Sequence, residues 1–429
     1  MTKGGTKLVR DAACPFCALA CDDLVIERTS ATALSVRDNG CELSRRFFAR
    51  AAPKATPEIG GKPAALDDAV ARAAQLLGRS HAPLFAGMAT DVAGVRAALR
   101  LAERTGAVVD DLGSDGLFRN LRVLQDSGWM TTTLGEIRNR MDAMLIVGPD
   151  PAQAFPRFFE RCVAPTDTLF GTRSNPRRLF RLGAAAPGTQ ALPDGLEITQ
   201  IPCDDVQLPA ALAALRASIN GRAVAADRAA GIPLAALNEV AAALGSAEYG
   251  VVVWSAAAFE AAAADMILQV IVDLVRDLNR TTRCAGFPLG GNDNLIGANQ
   301  TCTWQYGLPL RTSFAGGVPV HDPLINSARR RIVAAETDAV IWISAFRDAV
   351  PAGLPANLIA LAPPGTKFDR APAVQIPIGT PGIDHGGQIF RMDNVVALPL
   401  HGLLQRNLPS VADVLDRIVQ ALAKEQPSA

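Results

Sequence analysis

Four cysteines near the amino terminus carry the most specific chemistry in this chain. Cys14, Cys17 and Cys21 follow a Cys-x2-Cys-x3-Cys spacing in CPFCALACDD, and Cys41 follows the turn-forming Asp38-Asn39-Gly40. Three thiols on one tight turn and a fourth returning from a hairpin can converge on one corner of a fold. A cubane iron–sulfur cluster needs that convergence. Zinc also accepts four thiolates, at about 2.3 Å from one ion. The third reading is four buried, unligated cysteines, because Cys packs as a small hydrophobe. Cys162, Cys203, Cys284 and Cys302 are scattered along the chain and read as core residues.

Other chemistry-bearing residues are sparse. His81, His321, His385 and His401 are the only histidines, too dispersed to suggest a triad or a zinc site. The acidic pairs Asp22-Asp23, Asp110-Asp111 and Asp204-Asp205 could do acid/base work, and the first two read as solvated turn residues. Ser114 reads as a turn or helix-cap residue. No Gly-x-Ser-x-Gly elbow, Gly-x-Gly-x-x-Gly fingerprint or phosphate-binding Gly-Lys-Ser/Thr loop is present.

The elements that must position these residues alternate between strand and helix. Leu24–Ile26 and Leu34–Val36 flank a polar turn and read as a hairpin beside the cysteines. Pro53–Pro63 reads as a linker. A helix over 66–77, a strand over 83–87 and a helix over 92–104 closing on Gly106 follow. Ala143–Val147, Tyr249–Trp254 and Asp338–Ser344 are uninterrupted apolar runs, the mark of strands buried on both faces of a parallel sheet. RMDAMLIVG and TDAVIWISA match as an acidic residue leading into such a strand, which predicts related central positions in two units. The fold class expected is α/β: two nucleotide-binding-like units facing each other across a cleft, with a small cysteine-bearing β region. The boundaries expected are 1–52, 53–182, 183–310 and 311–429, the last segment returning to the first unit.

The chain has 429 residues, with 42 basic and 42 acidic side chains. That balance favours neither nucleic acid nor an anionic membrane as a partner. The most apolar stretch, 251–275, is broken by Glu260, Asp265 and Asp273, so no membrane span is expected. Eight cysteines with no secretory leader in view suit a reducing cytoplasm.

Several blocks in order resemble the B subunit of formylmethanofuran dehydrogenase, in the molybdopterin oxidoreductase superfamily. They are CPFCALACDD with Cys41, GAVVDD (106–111), LQDSGWMTTTLGEIRNRMDAMLIVGPDP (124–151), GANQTCTW (297–304), FAGGVP (314–319) and IFRMDNV (389–395). The resemblance implies the superfamily's two-unit α/β fold without its C-terminal barrel, and a 4Fe–4S cluster on Cys14, Cys17, Cys21 and Cys41. It also places His385 in a segment like the pterin-contacting loop.

The resemblance breaks at the active site. Where catalytic members carry a metal-binding cysteine and a proton-transferring histidine, LGSDGLFRN puts Gly116 and Leu117. An active-site arginine falls on Gly290. Glycine offers no ligand and leucine no proton, so no molybdopterin, molybdenum or tungsten is expected, and Gly116→Ala is expected to leave the rate of formyl-carrier hydrolysis nearly unchanged. Arg119 and Asp115 are poor substitutes for the missing groups. The chain is thus similar to the redox-inactive B-like component of bacterial formyltransferase/hydrolase complexes. The partners implied are an amidohydrolase-like A subunit, a formyltransferase D subunit and a C subunit. They work with tetrahydromethanopterin and a methanofuran-like carrier. The contrasting expectation is an active molybdenum or tungsten enzyme with unfamiliar ligands.

Overall fold

A computed structural model describes residues 7–52, 55–172, 175–184, 192–259 and 261–425. The chain forms two compact units, one of residues 1–114 with 291–429 and one of residues 115–290. The first holds a nine-stranded sheet in which Ala339–Ser344 is the fifth strand. It lies parallel to Pro83–Ala89 on one side and Leu358–Ala362 on the other. The second holds a five-stranded sheet whose middle strand, Ala143–Val147, runs parallel to Arg178–Gly183 and Gly250–Trp254. Every residue of both central strands is buried, as helices on both faces of a parallel sheet require.

The two matched acidic residues explain why these strands sit centrally. Asp142 accepts hydrogen bonds from the N–H groups of Glu248 (2.8 Å) and Tyr249 (3.0 Å), just before the neighbouring strand. Asp338 accepts from His81 (2.8 Å) and Ala82 (3.1 Å), just before its own neighbour. Each carboxylate satisfies main-chain donors at the mouth of an adjacent parallel strand and so pins its register. The equivalent motifs do the same job twice.

Three features differ from expectation. The units divide at 114/115 and 290/291, whereas sequence placed divisions at 182 and 310. Alternation of strand and helix reveals the elements but not which sheet each strand joins. The expected linker, whose Pro53 and Lys54 lie outside the described residues, contains a hairpin, Glu58–Ile59 with Lys62–Pro63. It turns on Gly60 and Gly61 (φ 58° and 77°) and extends the nine-stranded sheet beyond Val374. The run from Ala256 to Leu278 reads in the sequence as one long helix, but in the structure a 3₁₀ turn covers Ala256–Ala258 and the helix runs over Ala261–Leu278.

The small N-terminal sheet has three antiparallel strands, Lys7–Ala12, Leu24–Arg28 and Leu34–Asp38. Among the described residues no helix is long and apolar enough to cross a membrane.

Candidate metal centre and active-site positions

The first three cysteines lie on the loop joining Lys7–Ala12 to Leu24–Arg28, and all three are buried. Cys14 N–H donates to the Cys21 carbonyl (2.7 Å), and Ala20, at φ 46°, donates to the Cys17 carbonyl (3.1 Å). The loop is thereby folded back on itself. Phe16, fully buried, packs with its ring centroid 5.0 Å from both Phe47 and Phe48. Those rings belong to the helix Glu42–Phe48, so the aromatic contact fixes the helix against the loop.

Cys41 is the N-cap of that helix. Its sulfur accepts from Ser44 N–H (3.5 Å), and Ser44 Oγ accepts from Cys41 N–H (2.9 Å). This reciprocal pairing satisfies two donors the first turn would otherwise leave open. Gly40 before it is required sterically: a Cβ there would lie 2.5 Å from Val36 Cγ1.

The four thiols share one electrostatic neighbourhood. Burial, then the nearby Cys17 and Cys21, pushes the Cys14 thiol well up, with Cys41 adding to the effect. Cys17 is pushed up to about 11 by burial and by Cys41, while the Arg347 guanidinium acts in the opposite sense. All eight cysteines are outside disulfides. Among the described residues, no three or more His, Cys, Asp or Glu side chains are gathered tightly enough to hold a metal ion. Zinc places all four sulfurs around one point. A cubane takes each thiolate on a separate iron and therefore tolerates a wider ring of ligands. As a donor set, three buried thiols and the half-buried Cys41 suit the chemistry of a cluster better than that of a single ion.

Sequence reasoning missed the residues that brace this loop. Arg347 donates to the Phe16 carbonyl (2.9 Å) and pairs with Asp293 (2.7 Å). Asn292 Oδ1 accepts from Ala18 N–H (2.9 Å). Asn294 donates to the Thr90 carbonyl and accepts from Phe390 N–H, both at 2.8 Å. Asp293 and Asn294 adopt left-handed backbone conformations (φ 59° and 60°), which Asn and Asp tolerate better than most residues. The available signal was positional: Arg347 lies just beyond the carboxyl end of a central strand.

Gly116, Leu117 and Gly290, the positions that the resemblance aligns with catalytic residues, differ in their local packing. Gly116 is the second residue of the helix Asp115–Ser127 and is buried. A Cβ there would stand 2.7 Å from Ala257 N and 2.8 Å from Ala257 Cβ. Arg119, one turn on, donates to the carbonyls of Ala256 (2.8 Å) and Phe259 (3.1 Å), which clamps that turn onto the helix. The space a cysteine side chain would need is filled by main chain. The glycine at 116 is therefore a packing requirement. Leu117 is half-buried. Gly290 lies just beyond the strand Cys284–Pro288, and among the described residues none except its chain neighbours would lie within 4 Å of an added Cβ.

Asp110 also departs from expectation, whereas Ser114 is, as read, a turn residue directly ahead of the helix Asp115–Ser127. Asp110 is 1% exposed, not solvated. It accepts from Ser114 Oγ (2.6 Å) and Ala328 N–H (2.8 Å) and pairs with Arg311 (3.4 Å), which itself donates to Ser114 Oγ (3.0 Å). Burial lifts the Asp110 carboxyl to about 6 against the pull of Arg311. Ser114 spends its hydroxyl in this network. His385 is a loop residue, with its ring nitrogens near the carbonyls of Gly386 (2.7 Å) and Gly379 (3.4 Å). Cys162, Cys203, Cys284 and Cys302 are all buried.

No family model matches the chain. It is 27% identical over 406 residues to the B subunit of the tungsten-containing formylmethanofuran dehydrogenase 2 of Methanocaldococcus jannaschii, covering 91% of this chain and 92% of that one. It is 30% identical over 339 residues to the B subunit of the formyltransferase/hydrolase complex Fhc of Methylorubrum extorquens, covering 77% and 87%. Among solved structures it resembles a chain of the M. extorquens formyltransferase/hydrolase complex crystallised with methylofuran. There the TM-score is 0.73 at 28% identity, over 87% of this chain and 100% of that one. It also resembles acetylene hydratase from Pelobacter acetylenicus, with a TM-score of 0.63 at 8% identity over 97% and 70%, a likeness of fold alone.

Proposed function

We propose, for a chain that belongs to the B-subunit family of formyltransferase/hydrolase complexes, the role of non-catalytic assembly subunit in such a complex. It holds together an amidohydrolase-like A subunit, a C subunit and a formyltransferase D subunit. The complex moves formyl groups from tetrahydromethanopterin to a methanofuran-like carrier and releases formate, in the cytoplasm. The observation that carries this reading is the closure at position 116. A pterin-bound molybdenum or tungsten ion in this family takes a soft thiolate from the protein, and a Cβ there would already lie 2.7 Å from the Ala257 nitrogen. Leu117 cannot relay a proton, and Gly290 brings no positive charge to a substrate. The residues present do not fit a molybdopterin centre, so no oxidation step is assigned to this chain.

Cys14, Cys17, Cys21 and Cys41 would hold a 4Fe–4S cluster. Bound there, the cluster would supply four metal–thiolate bonds tying the loop to the helix that starts at Glu42. With no redox centre assigned beside it, its role is structural.

The test is co-expression of the chain with its A, C and D partners. A stoichiometric four-component complex, free of molybdenum and tungsten, with formyl-carrier hydrolysis that disappears when this chain is omitted, is the expected result. Stoichiometric molybdenum or tungsten, or viologen-linked oxidation of the formyl carrier, would overturn it. Restoring Cys, His and Arg at 116, 117 and 290 together is expected to give no oxidation, because the first substitution cannot be seated.

A further inference from the structure

The chain leaves the first unit after Ser114 and comes back to it at Gly291. Within that unit the two crossings are held by different means. The outgoing one is tied down by a buried network of its own, in which Asp110 accepts from Ser114 Oγ (2.6 Å) and Ala328 N–H (2.8 Å) and pairs with Arg311 (3.4 Å). The returning one is unfavourable on local grounds. Gly291, Asp293 and Asn294 take left-handed backbone angles (φ 83°, 59° and 60°). Glycine does so without a steric cost, but Asp and Asn hold such angles only where their surroundings impose them.

Those surroundings include the cysteine loop. Asn292 Oδ1 accepts from the N–H of Ala18, which lies between Cys17 and Cys21 (2.9 Å). Arg347 joins the same two segments, donating to the Phe16 carbonyl (2.9 Å) while pairing with Asp293 (2.7 Å). The returning segment passes this constraint inward. Leu295 N–H donates to the Asn292 carbonyl. Asn294 donates to the Thr90 carbonyl and accepts from Phe390 N–H, both at 2.8 Å. A metal held by the thiols of the loop adds its binding energy to the folded form of the loop, and everything fastened to Phe16 and Ala18 shares in it.

We propose that the brace made by Asn292, Asp293 and Arg347 couples metal occupancy of Cys14, Cys17, Cys21 and Cys41 to the order of the returning crossing, residues 291–295. The proposal deepens the reading of these cysteines as a metal centre and rests on it. Such coupling is reciprocal. What the metal adds to the order of the crossing, an intact crossing adds to metal retention.

The test compares the full chain before and after anaerobic reconstitution with ferrous iron and sulfide, by hydrogen exchange resolved to single amides. Iron should slow exchange at Leu295 and Phe390, neither of which belongs to the cysteine loop, by about tenfold. The effect at Ala328, the donor to Asp110, should be much smaller. Arg347→Met combined with Asn292→Ala should release iron to a chelator about tenfold faster, and the iron still bound should no longer slow Leu295 or Phe390. Arg347→Lys keeps the charge but not the fork of donors, and should fall between. The wild-type and Arg347→Lys measurements decide the matter if the double variant does not fold. Iron bound with exchange unchanged at Leu295 and Phe390 would overturn the coupling and leave the metal centre standing. So would equal slowing at Ala328, the mark of a global gain in stability, or slowing at Leu295 that survives in the double variant. A chain that takes up no iron would remove the metal centre, and the coupling with it.

Discussion

Replacing Gly116 with alanine tests the closure of the old catalytic position directly. The added Cβ would meet Ala257 at 2.7 Å (N), 2.8 Å (Cβ) and 3.0 Å (Cα), so the Ala256–Ala258 turn must retreat by a sizeable fraction of an ångström. Retreat strains the two hydrogen bonds from Arg119 to Ala256 and Phe259. Overpacking of this kind costs about 1–3 kcal/mol, and a weakened charge-assisted hydrogen bond adds up to about 1.5 kcal/mol. The helical gain of alanine over glycine offsets about 0.5–1 kcal/mol of that. The net expectation is destabilisation of the 115–290 unit by about 1–3 kcal/mol.

Tryptophan fluorescence during urea unfolding reads this out. Buried Trp254 donates to Asn120 on the same helix (2.9 Å) and packs edge-on to Trp129, so its emission reports that helix. Gly135→Ala is the matched control. It too is the second residue of its helix, and its Cβ would meet only Thr133 Oγ1, at an ordinary 3.6 Å. The control should be neutral or slightly stabilising. Equal stability of Gly116→Ala and wild type, with the control behaving as expected, would refute the claim that main chain occupies the ligand's place.

Three further outcomes are expected. Because burial and neighbouring thiols hold Cys14 and Cys17 protonated at neutral pH, metal loading must expel protons. Reconstitution should thus improve as pH rises, with proton release measurable by calorimetry in two buffers, and Cys41→Ser should lower bound iron. For Asp110, whose folded carboxyl is lifted by burial to about 6, the stabilising contribution is fully present below the unfolded value and lost as pH rises through about 6. Arg311→Met should leave that carboxylate buried without its cation, costing about 3–5 kcal/mol near pH 7 and less near pH 4, as unfolding curves at the two pH values can show. Asp142→Ala should leave two main-chain donors at the start of the Gly250–Trp254 strand without their acceptor. A loss of about 1–3 kcal/mol in the same fluorescence assay is expected.

What the sequence by itself determined was local or periodic. The central strands were legible because a strand buried on both faces must be apolar throughout, and Asp142 and Asp338 were legible as a repeated lead-in. The cysteine spacing exposed a donor set, since three of the thiols lie on one loop. The absence of a ligand and a proton donor at Gly116 and Leu117 could be read directly, because those side chains lack the necessary atoms. Only the tertiary structure decided the rest. That alanine at 116 would be overpacked depends on Ala257, far away in the chain and brought close by packing. Arg347 reaches the cysteine loop, and Arg311 reaches Asp110, across separations for which no local pattern exists. Asp110 looked like a solvated turn residue because its neighbours in sequence are polar and flexible. Its burial is set by Ser114, Arg311 and Ala328 closing around it, and a carboxylate's environment is fixed by what surrounds it in space.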